Sequence, residues 1–583
     1  MKLAKLLSLC VVLATPVSAA STSLIPWQSW QESQFTQAQQ QHKLILLDVE
    51  AVWCHWCHVM DNTTYQDADV ARAIAQNYIA VKVDHDARPD LAERYRDYGW
   101  PATVILDASG RDIVKRAGYI EPAEMLKLLQ KVAANPAPEA DEPAVTTFAN
   151  SADLSAATRR ALLQRFWDTH DKQLGGLQTT QKYLDRDTEE YALLLASQGQ
   201  KQARKMVRLN LDAGLNLLDP VWGGVYQYST HSDWRHPHFE KLGYAQTGYL
   251  RLYALAARSL NEPKYLQAAL AIRGYMRQFL TAPDGSIYSS QDADLQQGEK
   301  AGAYFALNDK QRRALGIPRV DTHVYAKTNG AMIAALTMLY SATGQAQDLT
   351  DALTIANNMI AQRQRADGGF GHDSHDVAGP YLADNLAMGQ GFIALFEVTG
   401  DAQWLHRAWA LADYINTHFR AKQAGYVTAV QVGKLPPVTQ IDENIAVTRW
   451  YNQVYRYGGR AQDKARAEYA MRYLATPQIA LSRLTEAGIL SADFELANVP
   501  AHLTVVGAHS DNTAVALHQF MLRYPLVYRR IDWWDPAMGR MDNPDVMYPD
   551  LGKAAAFVCA AGRCSTPAYQ VGELQTLARN LLR

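Results

Sequence analysis

The sequence predicts two folds in one chain: a small α/β domain first, then a toroid of helical hairpins. Three observations carry this expectation. Residues 25–134 alternate short apolar strand-like runs with helical stretches. From about residue 150 apolar residues recur at helical spacing almost without interruption. Between the two, the segment Asn135 to Pro143 is rich in proline and acid, so residues 135–148 read as a linker.

At 583 residues the chain exceeds one ordinary domain. It is 48% apolar and 20% charged, the composition of a globular protein. A formal net charge of −2 argues against a nucleic-acid partner. Beyond the N-terminus no apolar run reaches the ~18–20 residues of a membrane span, so none is expected. Residues 1–20 read as a secretory signal. Lys2 and Lys5 form its basic start, Leu6 to Leu13 its apolar core, and Val17-Ser18-Ala19 or Ser18-Ala19-Ala20 its cleavage site. The expected location is periplasmic or secreted, where disulfides persist. Cys10 falls in the removed segment, leaving Cys54, Cys57, Cys559 and Cys564.

In the first domain, Trp27 to Gln41 is helix-like and Leu44 to Val49 is a buried strand. A helix starts at Cys54, and Asp69 to Asn77 continues helical. Tyr78 to Val83 alternates as a strand. Ala102 to Leu106 is another strand, paired with Ile113 to Arg116 across the turn Asp107 to Gly110. Glu121 to Ala133 places Met125, Leu128, Leu129 and Val132 on one helical face. A βαβ unit followed by ββα is the order of a thioredoxin fold.

The segment Trp53-Cys54-His55-Trp56-Cys57-His58 stands where a strand meets a helix. Unpaired N–H groups at a helix start favour a thiolate on Cys54. Cys57, one turn on, can resolve a mixed disulfide. Asp48, on the preceding strand, is the candidate proton relay. Trp100-Pro101 precedes a strand, and a cis bond there would present backbone to an extended substrate. His55 can stabilise the Cys54 thiolate, and Trp53, Trp56 and Trp100 can rim a substrate groove. Two rivals use the same residues: c-type haem attachment at CxxCH with Met60 as axial ligand, and zinc on Cys54, Cys57 and His58. Asp48 and Trp100-Pro101 have no role in a cytochrome, and zinc lacks an evident fourth ligand. No cofactor and no metal is therefore expected.

Downstream, Tyr249, Leu252, Tyr253, Ala256 and Leu260 share one helical face. Further stripes run from Met332 to Tyr340 and from Leu405 to Ile415. Turns of glycine followed by an apolar residue centre on Gly176, Gly224, Gly285, Gly369, Gly425 and Gly488. Six such units imply an (α/α)6 toroid over residues 150–500. Residues 501–583 form a C-terminal extension, read as a small α/β segment or one more part of the helical body. Trp234, His236, His238, Glu240, Tyr244, Tyr288, Asp292, Asp294 and Asp384 are candidates for a pocket at the toroid's mouth. Acid pairs beside aromatics suit carbohydrate, whereas the plainer role for such residues is to cap helices. Cys559 and Cys564 form either a local structural disulfide or a second dithiol that exchanges with the first pair.

Two stretches, Cys54-His-Trp-Cys-His-Val-Met60 and Gly99-Trp-Pro-Ala-Thr-Val-Ile-Leu106, resemble the DUF255 thioredoxin-like family, which includes the spermatogenesis-associated protein 20 group. Trp234 to Lys241, Tyr288 to Asp294 and Asn329 to Ala335 resemble further blocks of that family. The resemblance implies a thioredoxin-like domain fused to a six-hairpin toroid like that of glycosidases and sugar epimerases. Val49 to Trp53 departs from the family's small, polar lead into the cysteines, and Lys182-Tyr183 departs from its proline-containing segment. The expected function is a periplasmic thiol–disulfide oxidoreductase acting on protein thiols or disulfides, with Cys54, Cys57, Asp48 and Pro101 at its centre. The alternative is a carbohydrate-active or sugar-binding protein with an accessory redox domain.

Overall fold

The computed structural model describes residues 23–140, 145–376, 378–543 and 547–582. The signal segment 1–20 lies outside the described residues, as do residues 141–144 of the linker.

The first domain holds strands β1 (Gln28–Ser29), β2 (Leu44–Glu50), β3 (Tyr78–Asp84), β4 (Ala102–Leu106) and β5 (Asp112–Ala117). Its helices are α1 (Ser33–Gln41), α2 (His55–Asn62), α3 (Ala68–Asn77), α4 (Pro89–Arg94) and α5 (Pro122–Ala134). The strand order is β1-β3-β2-β4-β5, with β2 and β3 parallel and β4 antiparallel to β2. This is the thioredoxin-like arrangement, with apolar layers on both sheet faces. The helix expected over Trp27 to Gln41 starts later, because Gln28 and Ser29 pair with Val81 and Lys82 as an edge strand.

The helical domain pairs α6 (Ala156–Asp168), α7 (Arg186–Ser197), α8 (Lys201–Gly214), α9 (Gly243–Leu260), α10 (Pro263–Phe279), α13 (Ala326–Thr343), α14 (Ala346–Arg363), α15 (Leu382–Thr399), α16 (Ala402–His418), α17 (Ile441–Gly458), α18 (Ala461–Leu474) and α20 (Ala487–Ala497). Short helices α11 (Gly302–Phe305), α12 (Asp309–Leu315) and α19 (Pro477–Ala480) lie in its connections. Helices α7, α9, α13, α15, α17 and α20 each touch the next, and α20 returns to α7, which closes an inner ring. Each has an outer partner: α8, α10, α14, α16, α18 and, for α20, the first helix α6. A mostly helical, hairpin-packed toroid therefore follows the thioredoxin-like domain, as the sequence predicts.

The glycine turns do a specific job. After the turn, the apolar residue offers its backbone to an amide on the next inner helix. Asn329 accepts from Ile287 N at 2.7 Å, Asn385 from Phe370 N at 2.8 Å and Asn444 from Tyr426 N at 2.8 Å. Each also donates back to that residue's carbonyl. Gln246 does the same for Val225. The sixth turn is a correction. Gly488 lies inside α20, and it is small because an added Cβ would press on Asp187 and Ile445 where the ring closes.

Small strands β6 (Tyr228–Ser229), β7 (Pro237–His238), β8 (Lys241–Leu242), β9 (Ser290–Gln291) and β10 (Val320–Asp321) line the inner helices' N-terminal end. The C-terminal segment folds as β11 (Ala501–Val506), α21 (Asn512–Arg523), β12 (Arg529–Trp534), β13 (Ala555–Ala560), β14 (Arg563–Cys564) and α22 (Val571–Leu581). Its order is β12-β11-β13-β14, with β11 and β12 parallel and the other pairs antiparallel. That repeats the order and directions of β3-β2-β4-β5 in the first domain. The two α/β modules sit at opposite ends of the toroid. At one end, Gln440 just before α17 donates to Glu93 O at 2.6 Å, and Tyr381 just before α15 donates to Asp90 at 3.3 Å. At the other end, His518 contacts Glu397 O near the end of α15 at 3.1 Å.

Candidate active site between the two domains

Cys54 and Cys57 form a disulfide. Cys54 is the N-cap of α2, and its sulfur accepts the Cys57 backbone N–H at 3.2 Å. The apolar strand β2 delivers the chain to this turn, and the helix start supplies donors to a sulfur anion. The Trp100–Pro101 peptide bond is cis. Trp53 donates from its indole to Asp86 at 2.8 Å and packs edge-on against Trp100 at 5.5 Å.

On the strand that leads to the pair, Asp48 stands in register with Lys82 across β2 and β3. The Lys82 ammonium lies 3.6 Å from Asp48, 2.5 Å from Glu50 and 2.6 Å from Asp61. One Asp48 oxygen has no hydrogen-bond partner among the described residues. Burial pushes the Asp48 carboxyl up to about 8, against the pull of Lys82. Lys82 itself is raised: burial works to lower it, and the three carboxylates more than offset that. Sequence reasoning missed Lys82, although a lysine inside the apolar run Tyr78 to Val83 was a visible signal.

The toroid meets both histidines of the motif. Asp294 lies just past β9, and His55 Nδ1 donates to it at 2.8 Å. His58 Nδ1 donates to its other oxygen at 3.2 Å, beside the Gly298 N–H at 2.8 Å. Burial opposes ionisation of Asp294, but these donors hold it down to about 2. His58 is raised: burial lowers it, while the bond to Asp294 and the charge of Asp292 prevail. Asp292 goes the other way, to about 6, because burial outweighs His58. His58, Asp292 and Asp294 bring ligand-type atoms within 4.8 Å of one another, as do Asp48, Glu50 and Asp61. In the second group Lys82 already supplies the cation.

Cys54 is only 4% exposed. It nevertheless lines a chamber of about 810 Å³ between the thioredoxin-like domain and the toroid's mouth. Trp53, Trp56, Arg96 and Trp100 line it from one side, and Arg186, Asp187, Glu240, Tyr244, Asp442 and Glu486 from the other. Arg96 pairs with Asp442, and Arg483 bridges Asp442 at 2.7 Å and Glu486 at 3.3 Å. Burial raises Glu486 to about 8, whereas Arg96 and Arg483 overcome burial to lower Asp442. A second cavity of about 260 Å³ follows the toroid's axis, shares Arg186, Asp187, Gly248 and Asp442 with the chamber, and ends at Tyr528, Arg529 and Arg530.

Of the toroid residues singled out from sequence, Glu240 and Tyr244 line the chamber. Asp292 and Asp294 instead reach the cysteine motif. The others do not line it. Trp234 is buried and donates to Leu174 O at 2.9 Å. His236 pairs with Asp233 on the surface, and His238 stacks on Tyr228. Tyr288 packs on the helical core. Asp384 is buried against His372, whose other nitrogen meets Asp86 O at 2.7 Å. Cys559 and Cys564 form a disulfide between directly opposed residues of β13 and β14. They belong to the module at the far end of the toroid, roughly 27 Å away if measured by an 18-residue inner helix. Direct exchange with Cys54–Cys57 is excluded in this arrangement.

Residues 16–137 match a family model described as Thioredox_DsbH, a protein of unknown function, DUF255. The chain is 25% identical over 338 residues to human spermatogenesis-associated protein 20, covering 50% of this chain and 42% of that protein. It is 26% identical over 319 residues to the uncharacterized protein B0495.5 of Caenorhabditis elegans, covering 46% and 41%. The matched part thus spans less than half the length of these curated relatives. Among solved structures, a sugar epimerase from a ruminal bacterium overlaps 55% of this chain and 86% of its own at 13% identity and a TM-score of 0.44. A D-mannose isomerase overlaps 59% and 98% at 9% identity and a TM-score of 0.44. The chain resembles the DUF255 and spermatogenesis-associated protein 20-like proteins, with a thioredoxin-like region at its N-terminal end and a toroid after it.

Proposed function

We propose that this protein is a thiol–disulfide oxidoreductase that acts on a ligand held between the thioredoxin-like domain and the toroid. One observation carries this reading: Cys54 and the toroid's mouth line the same chamber. In the reduced protein the Cys54 thiolate attacks a disulfide R–S–S–R, forms Cys54–S–S–R and expels one thiolate, which takes a proton. Cys57 then gives its proton to the Asp48 carboxylate and attacks Cys54. The second thiolate leaves, and two electrons have passed from the cysteine pair to the substrate. A dithiol restores the pair by the reverse exchange. Cys54→Ser is expected to abolish this turnover, and Cys57→Ser to accumulate the mixed disulfide on Cys54, read by mass. Full activity in both variants would refute the mechanism.

A specific observation favours a second reading, a carbohydrate-acting toroid. Trp56, Tyr183 and Tyr244 present faces 38%, 41% and 53% exposed on the chamber wall. Beside them stand one carboxyl kept protonated near neutral pH, Glu486, and one kept ionised, Asp442. Such a split suits acid–base work at a glycosidic bond. Loss of a sugar-converting activity in Glu486→Gln or Glu240→Gln, with both cysteine variants unaffected, would establish this reading over the first.

Export belongs to the same proposal and rests on residues 1–20. Among the described residues no helix is long and apolar enough to cross a membrane. Sequencing the N-terminus of the mature protein checks cleavage.

A further inference from the structure

The chamber is lined by a guanidinium and a carboxyl that are poorly satisfied by hydrogen bonds among the described residues, on Arg186 and Glu240. Arg186 opens α7 at the toroid's mouth. Among the described residues its guanidinium makes no hydrogen bond, and its nearest carboxylate oxygen, on Asp187, is 3.9 Å away. Glu240 is buried, with Oε2 lacking a hydrogen-bond partner among the described residues and Oε1 no closer than 3.8 Å to His238. A buried carboxylate oxygen without a donor is costly unless something completes it. Four other lining groups are better satisfied. Arg96, Asp442, Arg483 and Glu486 satisfy one another.

We propose that the chamber binds a low-molecular-weight disulfide carrying both carboxylate and ammonium groups, the carboxylate on Arg186 and the ammonium on Glu240, with its sulfurs at Cys54. This rests on the redox reading of Cys54 and adds the substrate class. A space of about 810 Å³ matches ligand pockets of roughly 300–1,000 Å³. A standard-size interface with a folded protein buries about 800 Å² on each partner, and Cys54 is only 4% exposed to meet one. The chemistry is the two-electron exchange written above. The bound disulfide becomes two thiols, the Cys54–Cys57 pair becomes a disulfide, and a dithiol re-reduces it.

The test uses full-length protein, pre-reduced and freed of reductant, with three probes. They are glutathione disulfide, uncharged bis(2-hydroxyethyl) disulfide, and insulin. Oxidation of the Cys54–Cys57 pair is followed by mass after acid quench. Glutathione disulfide is expected to react with saturation and about tenfold or more faster than the uncharged disulfide, the scale of one charge-assisted hydrogen bond. Insulin is expected to be slowest. Arg186→Gln and Glu240→Gln should each cut the preference for glutathione disulfide about tenfold, and Arg186→Lys should restore much of it. That rescue separates lost binding from a damaged helix start. Equal rates for the two small disulfides, a preference unmoved in both Gln variants, or insulin reacting fastest would each overturn the inference while leaving the redox reading intact. No oxidation by any probe would overturn the redox reading itself.

Discussion

Asp48 and Lys82 are the residues on which the proton step turns. The Asp48 carboxyl is pushed up to about 8 by burial, so near neutral pH it can both take and return a proton. Resolution of the Cys54 mixed disulfide should therefore quicken as pH rises through about 8. Asp48→Asn should slow it about 10²-fold and remove that limb, the usual scale for losing a general base. Stopped-flow decay of a pre-formed adduct measures both, and an unchanged profile would remove Asp48 from the mechanism. Alternation along β2 made Asp48 readable from sequence. Lys82 was equally readable in principle, but a lysine in a strand shows its meaning only once β2 and β3 are in register.

Among the elements, the β9 loop is the one that ties toroid to redox motif, through Asp294 and His58. The protonated His58 ring is favoured by the fold, so its contribution is full below the unfolded histidine value of ~6.5 and is lost as pH rises through the higher folded value. Asp294 is held down to about 2, so its contribution is present above the unfolded value of ~3.9 and is lost as pH falls toward about 2. The clamp is thus strongest between about pH 4 and 6.5. The drop in melting temperature caused by Asp294→Asn should be largest in that window and shrink on either side. A drop independent of pH would contradict the clamp. The repeated amides make a second prediction. Asn385→Ala strands the Phe370 N–H and two carbonyls in a buried place, so denaturant unfolding should show a loss of about 2 kcal/mol or more. Glycine turns revealed five of the hairpins from sequence. The sixth was misread because Gly488 is small for packing at the ring closure, a reason that composition cannot distinguish from turn formation.

The whole molecule sets a toroid between two modules that share one strand order. The first carries cysteines where its strand meets its helix. The last has Gly507 to Asp511 at that place and keeps its cysteines on a hairpin instead. The two-part fold was legible because periodicity changes near residue 150. The chamber was not. Its walls come from residues as distant as Cys54 and Glu486, and no spacing rule says which face of one domain meets which end of the other. Asp292 and Asp294 stood out in sequence as possible sugar ligands, yet domain docking turns them to His55 and His58.

Size-dependent capture of Cys54 tests the enclosed site most directly. Reduced Cys57→Ser protein is reacted with N-ethylmaleimide and with a polymer-linked maleimide too bulky for the chamber, each scaled to its rate with free cysteine. Chemistry confined to the chamber predicts that the small reagent is faster by roughly tenfold or more, since access governs thiol capture. Equal scaled rates would show Cys54 working on an open surface, and would contradict the shared chamber as the seat of function.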